Sequence, residues 1–344
     1  MTYLKRINFT FLTLCTTALL FHSCSHRLPE IPPSVITEKT PHDTDDPAIW
    51  VNQQNPEKSM VFGTDKDPNN GGVYAFDLKG RIISEKSLTG LSYPNNVAIA
   101  YDFKINDSTL TDIMMFTERE KNQIRLFSVP DMKALDNGGF PVFTYETDSD
   151  NRRPMGIALY KDQLSNKMYA IVSRKVGPKL NYLAQYHIVA NNSIIQANLV
   201  RKFGHFSGKK EIEAIAVDQE LGFVYYADEM NCIRKYYASP EKGDVELSCF
   251  GGDYFERDIE GIAIVKQQDH SGYLVVSNQQ AQSFSVFDRK TNDFIKELNL
   301  GTRGTDGCDA TSAALGTEFP NGLLVSMNNS KEFYYHDLRS IGLD

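Results

Sequence analysis

The stretch RDIEGIAIV, Arg257 to Val265, sets two carboxylates, Asp258 and Glu260, at the mouth of a short apolar run. Like charges so close raise one another's pKa, so the pair needs a cation nearby. The same pattern recurs. Acid or amide followed by apolar–Ala/Gly–apolar residues appears as DDPAIWV from Asp45, NNVAIAY from Asn95, PMGIALY from Pro154, EIEAIAV from Glu211, DIEGIAI from Asp258 and DGCDATSAAL from Asp306. The starts of these segments offer Asp45/Asp46, Asn95/Asn96, Met155, Glu211/Glu213, Asp258/Glu260 and Asp306/Asp309, so every copy but that of Met155 brings oxygen donors. Without His or Cys the set disfavours zinc and copper, and it suits several Ca²⁺ ions, each taking about 6–8 oxygen ligands. Cations stand close by: Lys66 in TDKDPNNGG, Arg119 in TEREKNQ, and Arg174 and Lys175 in VSRKVGP. Carboxylates, calcium and Lys/Arg together suit a phosphate-rich anion. The metal polarises a phosphoryl oxygen and supplies a bound water as nucleophile, while Lys and Arg hold the other oxygens. Any single acidic pair, or any lone Lys or Arg, is more often a solvated surface feature. Recurrence at one repeat position is what argues for chemistry.

The elements that must position these residues also repeat. Each segment is followed by a second, SMVFGTD, DIMMFTE, KMYAIVS, GFVYYAD, GYLVVSN and GLLVSMN in turn, and by a third, GGVYAFD, QIRLFSV, LAQYHIV, CIRKYYA, SFSVFDR and EFYYHDL. Strand after strand, with turn residues between and a period of about 50 residues, predicts propeller blades. Six such units cannot bury their faces alone and must stack radially, which gives an all-β, six-bladed β-propeller. The first strand of each blade lines the channel, so the acidic positions converge at one rim. The last repeat lacks an outer strand, and SVITEKT, before Asp43, is placed to supply it and close the ring. A solenoid fits less well, because capping repeats are missing.

The chain has 344 residues and a formal net charge of -8, with no basic stripe, which argues against a nucleic-acid partner. Lys5 and Arg6, the apolar run 7–21 and Cys24 read as a lipoprotein signal, with the Cys lipidated after cleavage; a cleaved soluble export signal is the alternative. The expected division is 1–23 signal, 24–41 proline-containing tether and 42–344 propeller. It implies a monomer exported to the cell envelope and held to the membrane by a lipid anchor. Of Cys232, Cys249 and Cys308, at least one is unpaired. A Cys232–Cys249 bridge is open, but buried free thiols are the expectation. No Gly-x-Ser-x-Gly elbow, Walker loop, Arg-His-Gly or Cys-x5-Arg signature is present. DTDDP at Asp43 lacks the strand-before-loop context of an aspartyl-phosphate site.

Taken in order, DTDDPAIWVNQQNP, YPNNVAIAYDF, GKKEIEAIAVDQELGFVYYADE, RDIEGIAI and GTDGCDA resemble the β-propeller phytases of bacteria, over almost the whole chain from Asp43 on. The resemblance implies a calcium-dependent 3-phytase-like hydrolase that removes phosphate from phytate, myo-inositol hexakisphosphate, by means of a calcium-bound water. It implies Asp46, Glu213, Asp228, Asp258, Glu260 and Asp306 as metal ligands, with Glu213, Asp258 and Glu260 central to catalysis. Lys66, Asn96, Arg119 and Lys175 would grip phosphate. The sequence departs from the family where Asp67 replaces a basic residue, Met155 a tyrosine, and Ala98 and Ala100 an Asp and an Arg, and the loop before TDGCD is short and lacks a further aspartate. These changes put one calcium site and the phosphate grip in question. Two other readings stay open: a non-catalytic propeller binding a ligand or partner at this rim, and another metal-dependent propeller hydrolase such as a lactonase. The latter would mix His and Asn with acids in its channel.

Overall fold

The computed structural model describes residues 2, 28–191 and 194–344. It contains six four-stranded antiparallel sheets. Apart from short 3-10 turns there is no helix among the described residues, and none long and apolar enough to cross a membrane. The inner strands are Thr44–Trp50, Pro94–Asn106, Pro154–Lys161, Ile215–Asp218, Ile259–Lys266 and Cys308–Thr311. These open blades one to six, and five blades take their strands in sequence order. The six-bladed propeller expected from the repeat is therefore present. The proposed signal, with Cys24, lies outside the described residues.

Blade six borrows its outer strand from the other end of the chain. Val35 and Ile36 pair antiparallel with Tyr335 and Tyr334, as SVITEKT was expected to do. One expectation changes as a result. The described part of the stretch 24–41 is not simply a tether, because Ile31 N–H already donates to Asn299 O and Thr40 N–H to Lys331 O.

The core is six layers, one between each pair of neighbouring sheets. Between blades one and two, Trp50, Phe62 and Val73 pack on Met114, Phe116 and Phe127. The apolar alternation of the second and third strands feeds these layers from both faces, which is why those strands are buried almost throughout. Polar ties reinforce the layers near the axis. Hydroxyls on second strands donate to the next inner strand or to the residues leading into it: Thr64 to Asn95 O at 2.6 Å, Thr117 to Met155 O at 2.7 Å, Ser173 to Ile212 O at 2.6 Å and Ser277 to Thr305 O at 2.7 Å. Crowding at the axis explains the small residues of the motif. A Cβ on Gly156 would lie 1.8 Å from Glu213 O, and one on Gly307 would lie 2.5 Å from Asp46 Oδ1.

Cys232 and Cys249 form a disulfide joining the third and fourth strands of blade four. This corrects the expectation of free thiols. The cysteines sit on adjacent strands, a proximity that no spacing along the chain reveals. Cys308 is the buried free thiol.

Candidate active site: a divided rim

Two backbone devices build the rim. At the start of the inner strand, pairing skips two residues: Thr44 faces Asp65 and Pro47 faces Gly63, and the same skip occurs at Pro94/Val97, Pro154/Ile157 and Ile259/Ile262. Such bulges re-aim side chains. The first residue of each skip, or its equivalent, is Asp45, Asn95, Met155, Glu213, Glu260 or Asp306. The second device follows the second strand. There the N–H of Lys66, Arg119, Lys175, Glu229, Gln279 and Asn329 donates back to Asp43, Tyr93, Arg153, Glu211, Asp258 and Arg303 respectively, just ahead of the inner strand. Six equivalent positions thus carry Lys, Arg and Lys in blades one to three, and Glu, Gln and Asn in blades four to six. The rim is divided into a basic arc and an acidic arc.

In the acidic arc, ligand oxygens of Glu211, Glu213 and Glu229 lie within 4.8 Å of one another, as do those of Glu229, Asp258 and Glu260. Glu229 belongs to both groups. Buried oxygens of Glu229 (Oε1), Asp258 (Oδ1), Glu260 (Oε2) and Asp45 (Oδ2) have no hydrogen-bond partner. Burial, reinforced by Glu229, Glu213 and Asp306, pushes the Glu260 carboxyl well above the usual range. Burial also pushes Glu229 up to about 8, although Lys210 opposes it. Asp45 and Asp306 are raised chiefly by burial, against the pull of Lys66. Lys210 Nζ lies 2.6 Å from Glu229 Oε2, 2.8 Å from Asp258 Oδ2 and 3.4 Å from Glu260 Oε1. Gln280 donates to Asp258 at 2.7 Å, and Gln279 donates to Asp306.

In the basic arc, Lys66 Nζ contacts Asp306 Oδ2 at 2.6 Å and Asp45 Oδ1 at 3.5 Å. Burial works against its charge, but Asp45, Asp306 and Glu213 outweigh it and hold the ammonium well above the usual lysine range. Lys175 pairs with Glu211. The Arg119 guanidinium lies 3.9 Å above the Tyr93 ring and donates to Asn95 Oδ1, while Asn95 Nδ2 donates to Glu213. Asn95 therefore links the two arcs.

The structure brings together Lys66, Arg119, Lys175, Glu213, Asp258, Glu260 and Asp306 as the sequence suggested. Asp46 and Asn96 stand one residue further along, in the wall of a channel cavity of about 420 Å³ otherwise dominated by small and apolar residues. The Asp46 carboxylate accepts Val97 N–H at 3.1 Å, and burial raises its pKa well above the usual range. Asp228 is elsewhere. Its oxygens are taken up by Arg234 at 2.7 Å and by the Ser207 hydroxyl at 2.8 Å, on the far side of the strand end from the rim. Glu229, the next residue, faces the acids instead, because successive residues of an extended chain point opposite ways. Arg174 is likewise structural, buried against Glu146, Tyr182 O and the Phe143 ring. Met155 is buried and offers no oxygen from its side chain. The sequence reading missed Glu229, Lys210 and Gln279. Counting from the end of the second segment, as TDK, TER and SRK are counted, would have selected Glu229 in ADE and Gln279 in SNQ.

Comparison with known proteins agrees with this architecture. The phytase family model matches residues 22–332. A relative, the 3-phytase of Bacillus subtilis (strain 168), is 30% identical over 302 residues, covering 83% of this chain and 74% of the relative. A rim that sets a basic arc against clustered buried carboxylates, on a chain matched almost end to end, places the protein in the phytase family, as a phosphoric monoester hydrolase.

Proposed function

We propose that this protein releases phosphate from phytate, myo-inositol hexakisphosphate, in a calcium-dependent reaction at the divided rim. The donor chemistry supports calcium. The ligand atoms are all oxygens, several are buried without hydrogen-bond partners, and burial raises the pKa of Glu229, Glu260 and Asp306, a cost to ionisation that a hard cation would relieve. Glu213, Glu229, Asp258, Glu260 and Asp306 would hold the ions, with Asp46 a further donor from the channel wall. Calcium bound there would supply Lewis-acid polarisation of a phosphoryl oxygen and lower the pKa of water. The chain's own part is to hold the anion. Lys66 and Lys175 act as flexible point charges, and Arg119, its plane set by Tyr93 and Asn95, offers a directed fork to phosphate oxygens. The observation that carries this reading is the partition of six equivalent positions into three cations and three metal-compatible oxygen donors.

The Cys232–Cys249 disulfide supports an oxidising compartment, and with it the export read from the first residues, while the anchoring at Cys24 rests on the signal pattern alone. Labelled fatty acid should be taken up by the protein and not by Cys24→Ala. The decisive experiment is phosphate release from phytate with calcium titrated in and then chelated. Release that rises with calcium and stops on chelation is expected. Full turnover in chelator would overturn the calcium assignment, and no release at any calcium level would overturn phytate as the substrate.

A further inference from the structure

Among the described residues, Lys210 is the cation that contacts all three acids of the Glu229–Asp258–Glu260 cluster, and those neighbours are residues assigned to hold metal. Its ammonium is 2.6 Å from Glu229, 2.8 Å from Asp258 and 3.4 Å from Glu260. Those three carboxylates form a single cluster and are buried, whereas the Lys210 side chain is about one-third exposed. We propose that Lys210 is a tethered counter-ion that fills the Glu229–Asp258–Glu260 cluster in the absence of metal, and that calcium must displace it. The proposal rests on the calcium reading above.

Three observations support it. Calcium binds oxygens at about 2.3–2.6 Å. An ammonium 2.6–2.8 Å from Glu229 Oε2 and Asp258 Oδ2 leaves Glu229 Oε1, Asp258 Oδ1 and Glu260 Oε2 as the unpartnered oxygens, so an ion that draws on the full set competes with the lysine for these carboxylates. Without Lys210, three buried carboxylates would face one another with only amide donors such as Gln280 for relief, which is strongly destabilising. Lysine can also leave: its four-carbon stem is flexible, and this side chain reaches in from the segment preceding the blade-four inner strand with part of its surface in solvent. Once displaced, the ammonium joins Lys66, Arg119 and Lys175 as a fourth cation at the mouth.

Displacement and simple structural support predict opposite signs. If Lys210 merely braced the site, removing it would weaken calcium binding. If it competes, removing it strengthens binding, because the empty cluster becomes the dominant form. The test is calorimetric titration of the full chain with calcium chloride for wild type, Lys210→Gln and Lys210→Arg, with melting in chelator measured alongside. Lys210→Gln should bind calcium at least about tenfold more tightly at one site. In chelator it should melt lower than wild type, and in excess calcium it should recover. Lys210→Arg keeps the charge and should stay near wild type in chelator. A Lys210→Gln protein that folds only with calcium present would be the same result at its limit. Equal or weaker calcium binding by Lys210→Gln, while wild type binds normally, overturns the proposal and leaves the calcium reading standing. No calcium uptake by any of the three proteins overturns both.

Discussion

At the scale of the residue, Asp228 and Glu229 show how much depends on one step along the chain. Asp228 is saturated by Arg234 and Ser207, while Glu229 faces the metal-compatible cluster. Glu229→Gln should lower kcat about 100-fold or more in calcium while melting near wild type. Asp228→Asn should do the reverse, costing roughly 3 kcal/mol of stability through the broken buried pair while kcat stays within a few-fold. Steady-state kinetics and denaturant melts on the two variants separate them. The raised carboxyls give a pH test. In the folded protein Glu229 and Glu260 hold protons more tightly than in the unfolded chain, with Glu229 at about 8 against an ordinary value of 4.5. The stability those protons contribute is complete below about pH 4.5 and is lost as pH rises through about 8. In chelator the protein should therefore melt higher at pH 5 than at pH 8, and calcium should flatten the difference. A chelated protein that gains stability across that window would contradict the assignment. The carboxylates of the DIEG segment and the cations of the basic arc were readable from sequence, because type and repeat position coincide there. Glu229 was not read, because an acid stands on either side of the strand end and only the register tells them apart.

At the scale of the element, the inner and middle strands were legible and the outer ones were not. Middle strands are buried on both faces, so they read as largely apolar runs such as LLVSM within Leu323–Asn328, and inner strands repeat the acid–apolar–Ala/Gly–apolar motif. Outer strands are often short and half-exposed, as in Leu88–Leu91 and Ser248–Phe250, and carry no alternation strong enough to notice. Blade four depends on a covalent aid for such a strand. Its outer strand has three residues and is tied by Cys249 to Cys232, directly across from Asp228 on the neighbouring strand. Replacing both cysteines by serine should cost about 3 kcal/mol, given the 17-residue separation. Calcium-supported activity at 25 °C should survive, because neither sulfur touches the rim. Denaturant melts with and without reductant on wild type give the same comparison without mutation.

At the scale of the whole molecule, the ring is closed by hydrogen bonds between residues some 300 positions apart, Val35 with Tyr335 and Ile36 with Tyr334. Removing residues 28–40 should open blade six and lower the unfolding free energy by roughly 3 kcal/mol or more, with a broader calorimetric transition. Ring closure was legible because the sixth repeat visibly lacked a strand. That the chain packs against the propeller from Ile31 on was not, because its contacts are backbone bonds that composition does not record. The divided rim has a kinetic consequence as well. A polyanion diffusing towards a protein of net charge -8 meets a repulsive far field, relieved only over the basic arc. On the calcium reading proposed above, divalent ions seated in the opposite arc would reverse the sign of the local potential there, so the whole mouth would become attractive at short range. The speed of encounter, and not only the chemistry that follows, would then be a function of free calcium, and added salt should slow capture most when calcium is plentiful.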